Sequence, residues 1–376
     1  VTATSVRGRS SATPVDGPRP LHRLVFLISG GIALLAGLDA ALLMIGLWAP
    51  VDLARLPEVH GMLLVLGFVG TVISLERAVA LRRRIGFAAP ALLGIAALAL
   101  VSPLPLRIGQ ALLVLGSAAL VLLYLPLWRR QRDDAVLVQS LGAVLATGAA
   151  VLWLGGVSIP AALAWLVGFV VLTIGGERLE LARFAMDRRP RELIVLLSGI
   201  VVAAVPAALL WPAVGYRILG AALLGLTMVL LIHDVARKTV HGTGLARFAA
   251  ACMLAGYGWL LVAGATWFVL GAAPSGSAYD AIVHSVFLGY TISMIMAHAP
   301  VILPAVLRRP LPYHPVYYVP AALLQVSLII RILFGDAWGL QPAWRIGGLL
   351  NIIALLAFVV LVASSLATAP VNGARR

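Results

Sequence analysis

The chain has 376 residues, 62% of them apolar and 11% charged, with a formal net charge of +14. A mean hydropathy of +1.04 excludes a soluble globular domain and fits a polytopic membrane protein. The cations lie in short loops between apolar runs, not on an aromatic-studded basic face, so nucleic acid is not the partner; the single cysteine, Cys252, excludes a disulfide framework or thiolate cluster and leaves histidine, carboxylate or methionine to hold any metal.

The first 21 residues, rich in Ser, Pro and Arg, lack the apolar core of a cleavable signal peptide and read as a disordered cytoplasmic tail. Apolar runs of about 20 residues each are long enough to span a bilayer. Twelve follow, at 22–48, 59–81, 87–104, 107–127, 135–157, 160–181, 193–211, 216–236, 248–272, 279–307, 317–335 and 343–366, which makes 22–366 one transmembrane domain and 367–376 a second tail. With the N-terminus cytoplasmic, Arg82 to Arg84, Arg129, Arg130, Arg132, Arg188, Arg189, Arg191, Arg237, Lys238, Arg308 and Arg309 all fall on the cytoplasmic side, and only Arg55, Arg107, Arg217, Arg331 and Arg345 lie outside or in the outer half. This is the positive-inside pattern, and it predicts that both termini are cytoplasmic in a bacterial inner membrane.

The second run, VHGMLLVLGFVGTVISLERAVALRRR, opens on His60 and is interrupted by Glu76 and Arg77. Its Gly67, Phe68, Val69, Ile73, Glu76, Arg77 and Arg82 recur 101 residues later as Gly168, Phe169, Val170, Ile174, Glu177, Arg178 and Arg183. The tenth run follows more loosely, with Gly289, Ile295 and then His298 where the glutamates stand. These runs are four spans apart, which predicts an all-α fold of three four-helix units around a pseudo-threefold axis.

The second, sixth and tenth spans run in the same direction, so His60 and His284 sit at similar depth near the outer face. Two neutral imidazoles at one depth on different helices suit the axial positions of a haem b iron; either one alone equally suits an interfacial histidine bonded to water or a carbonyl. Arg331 and Arg345, near the same face, suit haem propionates, or an ion pair of Arg331 with Asp280 or Asp336. His298, fourteen residues beyond His284, lies about 21 Å deeper and cannot share its iron. With Glu76 and Glu177 it predicts an inner cluster that binds a second metal, copper included, or relays protons; the alternative is that Glu76–Arg77 and Glu177–Arg178 are ion pairs anchoring helix ends. Asp39 in the first span is a further buried carboxylate, for a proton path or for packing.

These motifs resemble subunit I of the haem-copper oxidases, and HGMLLVLGF and HSVFLGYTISMIMAHAPVILPAVLRRPLPYH are similar to motifs of the NnrS proteins, haem- and copper-containing membrane proteins linked to nitric oxide. The resemblance implies a low-spin haem on His60 and His284, propionates near Arg331 or Arg345, and electron transfer or a nitric oxide response, with a protein or quinone as electron donor. The seventh span has no histidine and the sixth offers Trp165 and Glu177, so the dinuclear site of the oxidases is not matched. The competing expectations are a cofactor-free proton-coupled transporter using Asp39, Glu76, Glu177 and His298, and a structural subunit of a membrane complex.

Overall fold

A computed structural model describes residues 20–181 and 186–368. The two terminal tails fall almost wholly outside these residues, as does Arg183. Every regular element among the described residues is helical. Among the described residues twelve helices are long and apolar enough to cross a membrane: α1 His22–Met44, α2 Arg55–Leu81, α3 Arg84–Val101, α4 Leu106–Gln131, α5 Asp134–Leu154, α6 Ile159–Leu181, α7 Arg188–Leu210, α8 Pro212–His233, α9 Gly244–Leu270, α10 Gly276–Leu307, α11 Pro315–Ala337 and α12 Gln341–Thr368. Each falls on one of the expected spans. The tight α3–α4 connection, where Pro103 and Pro105 leave little room, is braced by Arg55, whose Nη1 donates to the carbonyls of Ser102 and Leu104 at 2.7 Å each.

Consecutive helices pack side by side in chain order, and α12 returns against α1. The interior belongs to α2, α6 and α10, which are 72%, 78% and 61% buried, against at most 56% for any other span. Helix α10 touches both α2 and α6. One helix from each set of four therefore lies inside, as the spacing of the repeat implies.

The repeat is also visible in backbone geometry. Helices α2 and α10 each widen into a π-helical stretch, at Leu63–Gly70 and Ser285–Ile292. The two stretches are offset by 222 residues at both ends, the offset that also relates Gly67 to Gly289 and Glu76 to His298. A third π-helical stretch, Ile329–Ala337, carries Arg331 in α11. Such widened turns concentrate at functional sites. At the arginine-rich end, α10 finishes on Arg308 in a left-handed conformation, and Arg23 of α1 donates to its last-turn carbonyl of Val306 at 2.8 Å.

Candidate functional sites at the two ends of the interior

His60 begins the interior part of α2, and its Nδ1 lies 2.9 Å from the carbonyl oxygen of Gly37 in α1. His284 ends the α-helical first turns of α10, with Nδ1 2.8 Å from the carbonyl oxygen of Asp280. His284 Nδ1 also lies 3.3 Å from Asp280 Oδ2. A carbonyl only accepts, so each Nδ1 carries a proton, and the neutral form of either ring keeps its lone pair on Nε2. This is the tautomer of a metal-ligating imidazole oriented by a backbone acceptor. Both rings line one cavity of about 90 Å³, between α1, α2, α6, α10, α11 and α12. Its walls are mostly apolar, and residues of both π-helical stretches, Leu64 and Phe287 among them, contribute to it.

Two further polar side chains face this cavity. Asn351 of α12 is 3% exposed. Its Oδ1 accepts from Ser327 Oγ at 2.5 Å, while its Nδ2 has no partner among the described residues. Arg331 is held by Asp280 through two hydrogen bonds of 2.8 Å, from Nε to Oδ2 and from Nη2 to Oδ1, and lies 4.8 Å over the ring of Trp344. Trp344 Nε1 donates to the same carboxylate at 3.2 Å. The ion pair with Asp280 is thus formed, with Arg331 still lining the cavity. Arg345 is exposed and is not part of the cavity wall.

The other end of the interior is a charged network. Arg77 donates to Glu76 at 2.8 Å, to Glu180 at 3.0 Å and to Gln139 at 3.1 Å, and stands 3.6 Å from Glu177. Arg178 makes a two-pronged contact with Asp234, at 2.8 and 2.7 Å, and its Nη1 lies 3.2 Å from His298 Nε2. Tyr257 donates its hydroxyl to Asp234 at 2.6 Å, and the Ala236 amide donates at 2.8 Å. Asp234 sits in the α8–α9 connection, outside the spans. Its burial pushes the carboxyl up, but the Arg178 guanidinium, the Ala236 amide and the Tyr257 hydroxyl outweigh this and hold it below the usual carboxylate range.

Glu76, Glu177 and His298, the three equivalent positions of the repeat, line one cavity of about 50 Å³. The cluster expected from spacing is therefore assembled. His298 has both ring nitrogens engaged, Nδ1 lying 2.7 Å from the Met294 carbonyl and Nε2 facing Arg178. Among the described residues no group of three or more His, Cys, Asp or Glu side chains is arranged to hold a metal ion. This bears on a copper site of that kind, not on a haem, whose iron takes two axial ligands from the protein. Asp39 is apart from this network, near the opposite end of α1, where it accepts from the Val51 amide at 3.3 Å and lines a groove with Leu35, Leu42 and Leu56.

Sequence reasoning missed Asp234, Tyr257, Gln139 and Glu180. Asp234 carried a signal: a lone acid directly after a 22-residue apolar helix, a place where an unpaired carboxylate is costly.

The pattern of one known family spans residues 23–367. The chain belongs to that family, described as a domain of unknown function (DUF8744). No curated protein matches this DUF8744 member. Its fold is similar to that of a solved structure described as a cryo-EM structure of a heme-copper terminal oxidase dimer, at 14% identity and a TM-score of 0.55, over 95% of this chain and 84% of that one. The likeness is one of fold.

Proposed function

We propose that this DUF8744 member is a haem-binding membrane protein of electron transfer or nitric oxide metabolism, with His60 and His284 as the axial pair. The observation that carries the reading is the single cavity walled by two imidazoles, each with Nδ1 within hydrogen-bonding distance of a backbone carbonyl. The unpartnered Asn351 Nδ2 and the cavity-lining Arg331 offer donors for acceptor groups on the rim of such a ring. A haem bound there would supply a one-electron Fe(III)/Fe(II) couple. The chain's own part is to hold the two rings in the ligating tautomer, to keep water out with an apolar wall, and to place a cation beside any carboxylate substituent. The fold shared with a heme-copper terminal oxidase agrees with this reading.

A second reading, a cofactor-free proton relay or proton-coupled transporter, is favoured by the buried Arg–Glu–Asp–His network, every contact of which the protein makes by itself. It asks nothing of any group outside the chain. Expression under haem-replete conditions separates the two. The first reading expects a low-spin haem b spectrum in the purified protein, lost in both His60→Ala and His284→Ala while helical content is kept. A colourless protein that moves protons across vesicle membranes overturns it in favour of the second.

A further inference from the structure

We infer that Glu177 rests as a neutral carboxylic acid, which makes the chamber it shares with Glu76 and His298 a proton-binding site already loaded at neutral pH. The inference deepens the proton-relay reading.

Four carboxylates, Glu76, Glu177, Glu180 and Asp234, meet two guanidiniums, Arg77 and Arg178, in this network. Asp234 and Arg178 neutralise each other through two hydrogen bonds. Arg77 is then left with three acids. It hydrogen-bonds Glu76 and Glu180 at 2.8 and 3.0 Å, but Glu177 stands 3.6 Å away, beyond hydrogen-bond reach. Among the described residues Glu177 accepts none of the hydrogen bonds that hold the other two, although its side chain is the most enclosed of the three, 12% exposed against 23% for Glu76 and 36% for Glu180. An ionised carboxylate in such a place needs both a partner cation and hydrogen-bond donors, and the cation is already shared. Binding one proton removes that demand.

The other groups around Glu177 do not replace the proton. Arg178, next in sequence, is turned to Asp234 and His298. The hydroxyls of Tyr124 and Tyr290 lie within electrostatic range, buried and without a partner among the described residues. His298 faces the chamber with both nitrogens occupied.

The test is infrared spectroscopy of the purified full chain at pH 7. A C=O stretch of a protonated carboxylic acid is expected, shifted by D2O and absent in Glu177→Gln, and weakened in Glu76→Gln, which frees Arg77 for Glu177. Glu177→Gln, an amide in place of a neutral acid, should melt with the wild type. In Glu177→Asp the band must move in frequency without vanishing, which decides the matter if the amide variant does not fold. Absence of the band in the wild type, or its survival unchanged in Glu177→Gln, overturns the inference. The measurement reads the resting protein, so a chain that transports no protons still shows the band, and failure of the relay reading is distinguishable from failure of this one.

Discussion

At the end of the interior far from the arginine-rich loops, His60 and His284 each meet a backbone carbonyl through Nδ1, His284 with the Asp280 carboxylate 3.3 Å from the same nitrogen, and they share a mostly apolar cavity. At the other end, six ionisable side chains are fastened largely to one another. The same three helices build both ends. Where the side chains are held mainly by backbone they leave a larger apolar space, and where they are held by each other the space is smaller and most of the charges are paired, about 50 Å³ against about 90 Å³. The first arrangement suits a guest, and the second suits a proton.

The sharpest way to break this contrast is to remove one member of the self-contained pair. Asp234 is 1% exposed and Arg178 7% exposed in their ion pair, so Arg178→Leu strands a buried carboxylate and should cost about 3–5 kcal/mol of stability. Denaturation in detergent checks it; a loss below about 1 kcal/mol would show that the network is not structural. Adding Asp234→Asn to that variant should restore part of the loss, because the stranded charge is gone.

A smaller effect is expected at the guest end. Gly347 of α12 lies where an added Cβ would come within 2.6 Å of the Arg331 Cβ and backbone nitrogen. Gly347→Ala therefore presses α12 away from α11 at the cavity wall, at a cost of about 1–3 kcal/mol by overpacking. A melting curve reads the cost, and any haem spectrum should shift in the same variant, whereas the Glu177 carbonyl band should not.

The gentlest probe is pH. Asp234 is held below the usual carboxylate range in the folded chain, so its contribution is fully present above the unfolded value of about 3.9 and is lost as pH falls through the folded value. Thermal stability measured from pH 7 downward should include this loss in the wild type and lack it in Asp234→Asn. Parallel curves for the two proteins would remove Asp234 from the account.

Much of this was legible in the residues. The twelve spans follow from apolar length, and the three interior helices from a repeat in which Gly67, Glu76 and Arg77 match Gly168, Glu177 and Arg178. His60 and His284 were matched by depth alone, and the structure brings them to one cavity. The partner of Arg178 was not legible, because it depends on how the connection after α8 folds Asp234 back beneath α6, a matter of three dimensions that no helical period encodes. Asp39 illustrates the reverse case. Sequence placed it with the proton path as one of two roles, but α1 runs opposite to α2, and the acid ends up beside Val51 at the far end.

The paired π-helical stretches in α2 and α10 carry a last consequence. A π turn takes about one residue more than an α turn, and each residue in an α-helix advances about 100° around the axis. The stretch between His60 and Glu76, and its twin between His284 and His298, thus work as a phase shifter, setting which side of the rod faces inward below it independently of the side above. One helix can in this way address two chambers in different directions. Excising a single residue from 66–68, which line neither chamber, would turn Glu76 relative to His60 and so reorient one end of the interior against the other.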